Sequence, residues 1–105
     1  MENITTEQLR KKLDKNDIVL IEVLDEEQYQ TSHLPGAINI PVSRIGTEVK
    51  QRFESDQEIV VYCSDVDCSA SPTAAGKLDD LGFEHVYDYE EGKKAWREAG
   101  LPMEK

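Results

Sequence analysis

The segment from Glu58 to Gly82, EIVVYCSDVDCSASPTAAGKLDDLG, constrains this chain more than any other. Its apolar run Ile59-Val60-Val61-Tyr62 reads as a buried strand ending on Cys63, followed by a short polar loop and a helix that begins near Ser69 to Pro72. In a parallel α/β sheet the carboxyl ends of the strands open onto the ligand crevice, so this order delivers Cys63 to the place where sites form. Loop N–H groups can curl toward the sulfur while the positive end of the following helix points the same way, and both favour a thiolate or persulfide anion. Ser71-Pro72 supplies an N-cap and a first-turn proline, with Ser69 a second candidate cap. Ala74, Ala75, Leu78 and Leu81 follow at helical spacing, and Gly82 offers a left-handed stop. The small residues Ala74, Ala75 and Gly76 predict a close approach of helix to sheet.

With 105 residues the chain is expected to be one domain, 1–105. Its net charge of -10, from 22 acidic against 12 basic residues, argues against a nucleic-acid surface or an anionic membrane, both of which need a basic footprint. The first residues, Met1 to Glu7, have neither a positive n-region nor an apolar h-region, and no apolar run reaches membrane-spanning length. A cytoplasmic location is the expectation. The two cysteines, Cys63 and Cys68, lie in one loop and read as reactive rather than structural.

Along the chain, Ile4 to Leu9 fits a capping box, Thr5 with Gln8, and a hydrophobic staple of Ile4 on Leu9, so a helix should run to Leu13 or Asp14. After a turn at Lys15-Asn16-Asp17, the nearly continuous apolar run Ile18 to Val23 is how a strand buried on both faces reads. Asp25 can cap a short helix over Glu26 to Gln30 that places Tyr29 on the sheet. A turn over Thr31 to Gly36 leads into a short strand, Ala37 to Ile40, stopped by Pro41. Ser43 opens a helix with Ile45, Val49 and Phe53 on one face, weakened by Gly46. His85 to Asp88 reads as a further strand, and Gly92 to Ala99 as a last helix ended by Gly100. Strands alternating with helices at these lengths predict right-handed crossovers and a parallel sheet covered on both faces.

In this order the residues resemble the rhodanese-like domain family over nearly the whole chain. Ile21-Glu22-Val23, Tyr29 and His33-Leu34-Pro35-Gly36-Ala37-Ile38-Asn39-Ile40-Pro41 are similar to the first signature. Val60-Val61-Tyr62-Cys63 with Ala74-Ala75, Leu78 and Leu81-Gly82-Phe83 are similar to the active-site strand, loop and helix; Gly92, Trp96 and Ala99-Gly100-Leu101-Pro102 resemble the closing signature. The resemblance implies a three-layer α/β fold, a parallel five-stranded sheet flanked by helices. It also implies sulfurtransferase chemistry without a cofactor, in which a thiolate takes a sulfane sulfur from a donor, becomes a persulfide and passes it to a thiol or other nucleophilic acceptor. Carried over by position, Cys63 is the nucleophile, and the backbone amides of Ser64, Asp65, Val66, Asp67, Cys68 and Ser69 form its cradle.

Several positions depart from the family's pattern. Many members carry basic or glycine residues in the active loop, whereas this one has Asp65 and Asp67 and no Lys or Arg from Cys63 to Thr73. Each carboxylate opposes a thiolate or a dianionic donor by ~1 kcal/mol when partly screened, which favours a protein or small-molecule persulfide over thiosulfate. The loop from Cys63 to Ala74-Ala75 is longer than the commonest ones; Glu22 and Leu24 stand where an acidic residue and an arginine are common, and Glu91-Gly92 replaces a usual double glycine. Cys68 is a candidate resolving thiol, able to attack a Cys63 persulfide, release sulfide and leave a disulfide; otherwise it packs as a small side chain.

His33 reads as orienting the turn before Pro35, and His85 as a partly exposed polar residue. One cysteine pair lacks the second pair that closes a zinc site, so no metal is expected. Trp96, Tyr29, Phe53 and Phe83 read as core, and Tyr87 and Tyr89 as packing residues near the rim. A cysteine phosphatase or arsenate reductase would need a guanidinium for its oxyanion, and Ser69 stands where that arginine would. A binding module with an incidental cysteine is the non-enzymatic alternative.

Overall fold

A computed structural model describes residues 1–15 and 17–105. The turn expected at 15–17 includes Asn16, which lies outside the described residues. Strands β1 (Glu2–Asn3), β2 (Ile18–Glu22), β3 (Ile38–Asn39), β4 (Glu58–Tyr62) and β5 (His85–Tyr89) form one sheet in the order β1-β5-β4-β2-β3. Every pairing is parallel. Between and around the strands lie helices α1 (Thr6–Asp14), α2 (Glu26–Thr31), α3 (Ile45–Arg52), α4 (Ala70–Asp80) and α5 (Gly92–Glu98). A single 3-10 turn over Val42–Arg44 leads into α3, so the pattern beginning at Ser43 becomes regular only from Ile45.

The period-2 alternation of β4 divides the interior into two cores. Ile59, Val61 and Cys63 pack with Ile45 and Val49 of α3 and Ala74, Ala75 and Leu78 of α4. Val60 and Tyr62 face the other way, toward Leu9 of α1 and Trp96 of α5, with Tyr29 of α2 at the margin. The expected three-layer α/β architecture is therefore present. Local chemistry starts α1 as the sequence predicts: Thr5 accepts from the Gln8 amide at 3.2 Å and the Gln8 side chain accepts from the Thr5 amide at 2.9 Å. Asp25 caps α2 in the same manner, accepting from the Gln28 amide at 2.9 Å.

The start of α4 falls inside the range read for it, and two other expectations for this helix change. The helix begins at Ala70, so Pro72 lies in the third helical position, where its missing N–H is still one of the orphans of the first turn. Ser69 occupies the cap position without a side-chain cap bond, and Ser71 is buried instead of capping. Leu81 ends the helix exposed rather than in the core, and a Cβ at Gly76 would meet nothing within 4 Å, so the close approach rests on Ala74 and Ala75. Gly82, at φ +93°, makes the predicted stop: its amide reaches the Asp79 carbonyl at 3.1 Å and the Phe83 amide reaches Leu78 at 3.2 Å, a Schellman motif.

Asp88 of β5 is fully buried, and neither of its carboxylate oxygens has a hydrogen-bond partner among the described residues. Burial pushes its pKa above the ordinary 3.8; the Ser71 hydroxyl beside it opposes this without reaching hydrogen-bond geometry, and Glu90 adds to it. A carboxyl with a raised folded-state pKa binds more protons folded than unfolded, so its contribution falls as pH rises above its unfolded value. Asp88→Asn should therefore stabilise the protein at neutral pH and flatten the loss of stability between about pH 4 and pH 7. Urea unfolding at the two pH values checks this, and parallel curves for parent and variant would clear Asp88 of the effect.

Candidate active site

Cys63 follows the last residue of central strand β4 and has no exposed surface. Its carbonyl accepts from the Lys93 amide at 3.1 Å, and the Ser64 carbonyl accepts from the Lys94 amide at 2.9 Å. The first turn of α5 thus grips the backbone at the start of the loop, using amides that a helix terminus leaves without internal partners. Gly92 makes the grip close, since at φ +65° a Cβ there would stand 2.8 Å from the Ser64 carbonyl carbon.

Within the loop, Asp65 organises the turn: its side chain accepts from the Asp67 amide at 3.0 Å and its carbonyl from the Cys68 amide at 3.1 Å. This brings Cys68 back over Cys63, with Cα atoms 6.4 Å apart and the sulfurs joined as a disulfide. Cys63 Sγ also lies 3.6 Å from the Cys68 carbonyl oxygen, an acceptor for the thiol in the reduced state. Val66, at the loop's tip, is 63% exposed; Asp67 and Ser69 are exposed, and Cys68 is only partly buried. Of the six amides read as a sulfur cradle, those of Asp67 and Cys68 are engaged inside the loop.

Behind Cys63 lies a polar network that the sequence reading did not assemble. Glu22, at the end of β2 and paired in register with Tyr62, is fully buried. It accepts from the Tyr62 hydroxyl at 2.9 Å, and that hydroxyl accepts from the Leu34 amide at 3.1 Å. The other carboxylate oxygen is 2.9 Å from Lys93 Nζ, an ion pair whose angle falls outside hydrogen-bond geometry; the ammonium instead donates to the Gln28 carbonyl at 3.1 Å. Burial pushes the Glu22 pKa up against the opposing pull of Lys93, Tyr62 and, more weakly, His33. Burial and the neighbouring carboxylate also raise the Tyr62 hydroxyl far above its ordinary range, so it is a fixed donor.

Two cavities flank the loop. One of about 170 Å³ is lined by Asp65, Val66, Asp67, Glu91, Lys94, Ala95 and Glu98; the other, of about 240 Å³, touches Ser64, Lys93 and Arg97 together with Leu24 and Gln28. Cations absent from the loop itself therefore reach it from α5, although Lys93 is matched by Glu22 and Lys94 faces four carboxylates. No signal within residues 63–73 could have found them, because the contact is tertiary. His33 is turned elsewhere, its Nδ1 2.9 Å from the Tyr29 carbonyl and its ring stacked on Tyr29, and exposed His85 starts β5 at the opposite end of the sheet from Cys63. Tyr89 is buried and Tyr87 packs under Lys12, as their packing reading holds. Among the described residues, no group of three or more His, Cys, Asp or Glu could hold a metal ion, and no helix is long and apolar enough to cross a membrane.

The sequence matches the family profile described as "Rhodanese-like domain" over residues 5–99. It is 35% identical over 101 residues to the HTH-type transcriptional regulator Rv0324 of Mycobacterium tuberculosis, covering 96% of this chain but only 44% of that protein. It is 33% identical over 97 residues to the thiosulfate sulfurtransferase GlpE of Pseudoalteromonas translucida, covering 92% of this chain and 90% of that one. The crystal structure of the BH2092 protein from Bacillus halodurans superposes with a TM-score of 0.89 at 28% identity, covering 98% of this chain and 76% of that one. Sequence match, sheet order and the strand-loop-helix around Cys63 agree, and the chain belongs to the rhodanese-like domain family.

Proposed function

We propose that this chain is a sulfurtransferase that carries sulfane sulfur as a persulfide on Cys63 and hands it to a thiol or other nucleophilic acceptor. The observation that carries the reading is the position of Cys63, at the carboxyl end of the central strand, its backbone held by α5 and its loop leading into the first turn of α4. A thiolate there attacks the outer sulfur of a donor R–S–SH, the donor's S–S bond breaks, RS⁻ leaves, and Cys63 holds the new S–S bond. The amides of Ser64, Asp65, Val66 and Ser69 and the positive end of α4 stabilise the anion. Asp65 and Asp67 oppose a dianion such as thiosulfate, and favour a protein or small-molecule persulfide as donor. Cys68 acts as the resolving thiol. A cycle through two free thiols suits the reducing cytoplasm, where we place the protein.

Cys63→Ser should abolish sulfur transfer. Intact-protein mass spectrometry of reduced protein, treated with a persulfide donor, should show a gain of one sulfur in the Cys68→Ser variant and none in Cys63→Ser. The buried sulfur and acidic loop favour the binding-module alternative; a protein that never gains sulfur beside a reactive control would establish it. The phosphatase alternative has Ser69 where its arginine is required.

A further inference from the structure

The two sulfurs of the disulfide are not equally reachable. Cys63 has no exposed surface and is enclosed with Val61, Leu24, Ala74 and Ala75, while Cys68 is only partly buried at the outer side of the loop. Thiol–disulfide exchange proceeds in line at the sulfur that the attacking thiolate can reach, and faster when the sulfur that leaves is the better-stabilised anion. Access decides the direction here: it selects Cys68 for attack and leaves Cys63, enclosed at the end of β4, as the sulfur that departs.

We propose that Cys68 is the entry point for a thiol reductant, so that the chain also acts as a thiol-dependent sulfane reductase whose oxidised form is opened from Cys68. This rests on the persulfide reading above, and it names the partner class that completes it. In the resolving step, the Cys68 thiolate attacks Cys63 Sγ of the persulfide; the Cys63–Cys68 bond forms, the bond to the outer sulfur breaks, and HS⁻ leaves. A dithiol reductant then attacks Cys68 Sγ, the Cys63–Cys68 bond breaks, and Cys63 departs as a thiolate. The reductant's second thiolate attacks its own sulfur in the mixed disulfide, Cys68 is released and takes up a proton, and the reductant leaves as a disulfide. Two electrons pass from the dithiol to the sulfane sulfur, which ends as sulfide. In the oxidised state Cys68 is also the cover over Cys63, so donor sulfur cannot enter until the reductant has opened the loop.

The test uses the full chain, oxidised and then mixed with limiting 2-mercaptoethanol, acid-quenched within the first turnover and alkylated with N-ethylmaleimide. Fragmentation of the peptide that holds both cysteines should place the mercaptoethanol on Cys68 and the alkyl group on Cys63, with at least a tenfold preference. Mercaptoethanol on Cys63, an even split, or an oxidised protein that has not lost two hydrogens would each overturn the inference. The gain of sulfur by Cys68→Ser is read separately. Its absence would sink the persulfide reading, whereas its presence with a misplaced mixed disulfide would sink this inference alone.

Discussion

Lys93→Met should lower the stability of the fold by about 3–5 kcal/mol at neutral pH, the usual cost of removing one partner from a buried ion pair. Lys93 is 6% exposed and Glu22 not exposed at all, so neither charge has water to fall back on when the other is removed. Methionine keeps the length and apolar body of the side chain, which confines the change to the ammonium and its 3.1 Å bond to the Gln28 carbonyl. The loss should depend on pH with a definite sign. Burial already raises the Glu22 pKa above 4.5, and without Lys93 it rises further. An acid whose folded-state pKa is raised disfavours the fold increasingly as pH climbs above the unfolded value, so the deficit should be smallest near pH 4 and largest near pH 7. Adding Glu22→Gln to Lys93→Met should recover most of the loss at neutral pH. Urea unfolding of parent, single and double variants measures all three; a deficit that is flat with pH and untouched by the second change would mean that lost packing, and not an orphaned charge, is the cause.

What could be read from the sequence follows the range of the interactions. The capping box of Thr5 and Gln8, the Asp25 cap and the Gly82 stop are made by residues a few positions apart, and each appears as written. The continuous apolar runs at Ile18 and Ile59 name the two strands buried on both faces, because such a strand has no polar side to show. Strand β1 carries no such run: Glu2 and Asn3 are exposed at the sheet edge and join it through their backbone alone. The site divides in the same way. Cys63 at a strand end and Cys68 in the same loop are local features, and their juxtaposition depends on the Asp65 turn. Glu22 and Lys93 lie on β2 and α5, in distant parts of the chain, and nothing local to either names the other as its partner. Only the crossover that lays α5 beside the end of β2 converts them into a buried pair. For the same reason the loop's own composition reads as uniformly acidic, while the folded loop also meets Lys94 and Arg97 across its two cavities.

Gly92 tests whether the grip of α5 on the loop matters to chemistry as well as to folding. Its φ of +65° already disfavours any L side chain, at about 1–2 kcal/mol. An alanine Cβ there would also meet the Cys63 carbonyl oxygen and approach the Ser64 carbonyl carbon and oxygen at 2.8 and 2.9 Å, all of them backbone atoms with no rotamer to escape into. Relieving that contact must move the Cys63–Ser64 peptide or the start of α5, and overpacking of this kind adds about 1–3 kcal/mol. The same carbonyls are those held by the Lys93 and Lys94 amides, so the displacement falls on Cys63 itself. A shift of about 1 Å at a reacting group can cost ~10²-fold in rate, and Gly92→Ala should show a loss of sulfur transfer of that order under conditions where it remains folded. Gly100→Ala is the matched control, with φ +77° and nothing within 4 Å of its Cβ. It should lose only the backbone cost and keep its activity. If the two variants lose equal stability and transfer sulfur equally well, the contact between Gly92 and the loop is not what holds Cys63 in place.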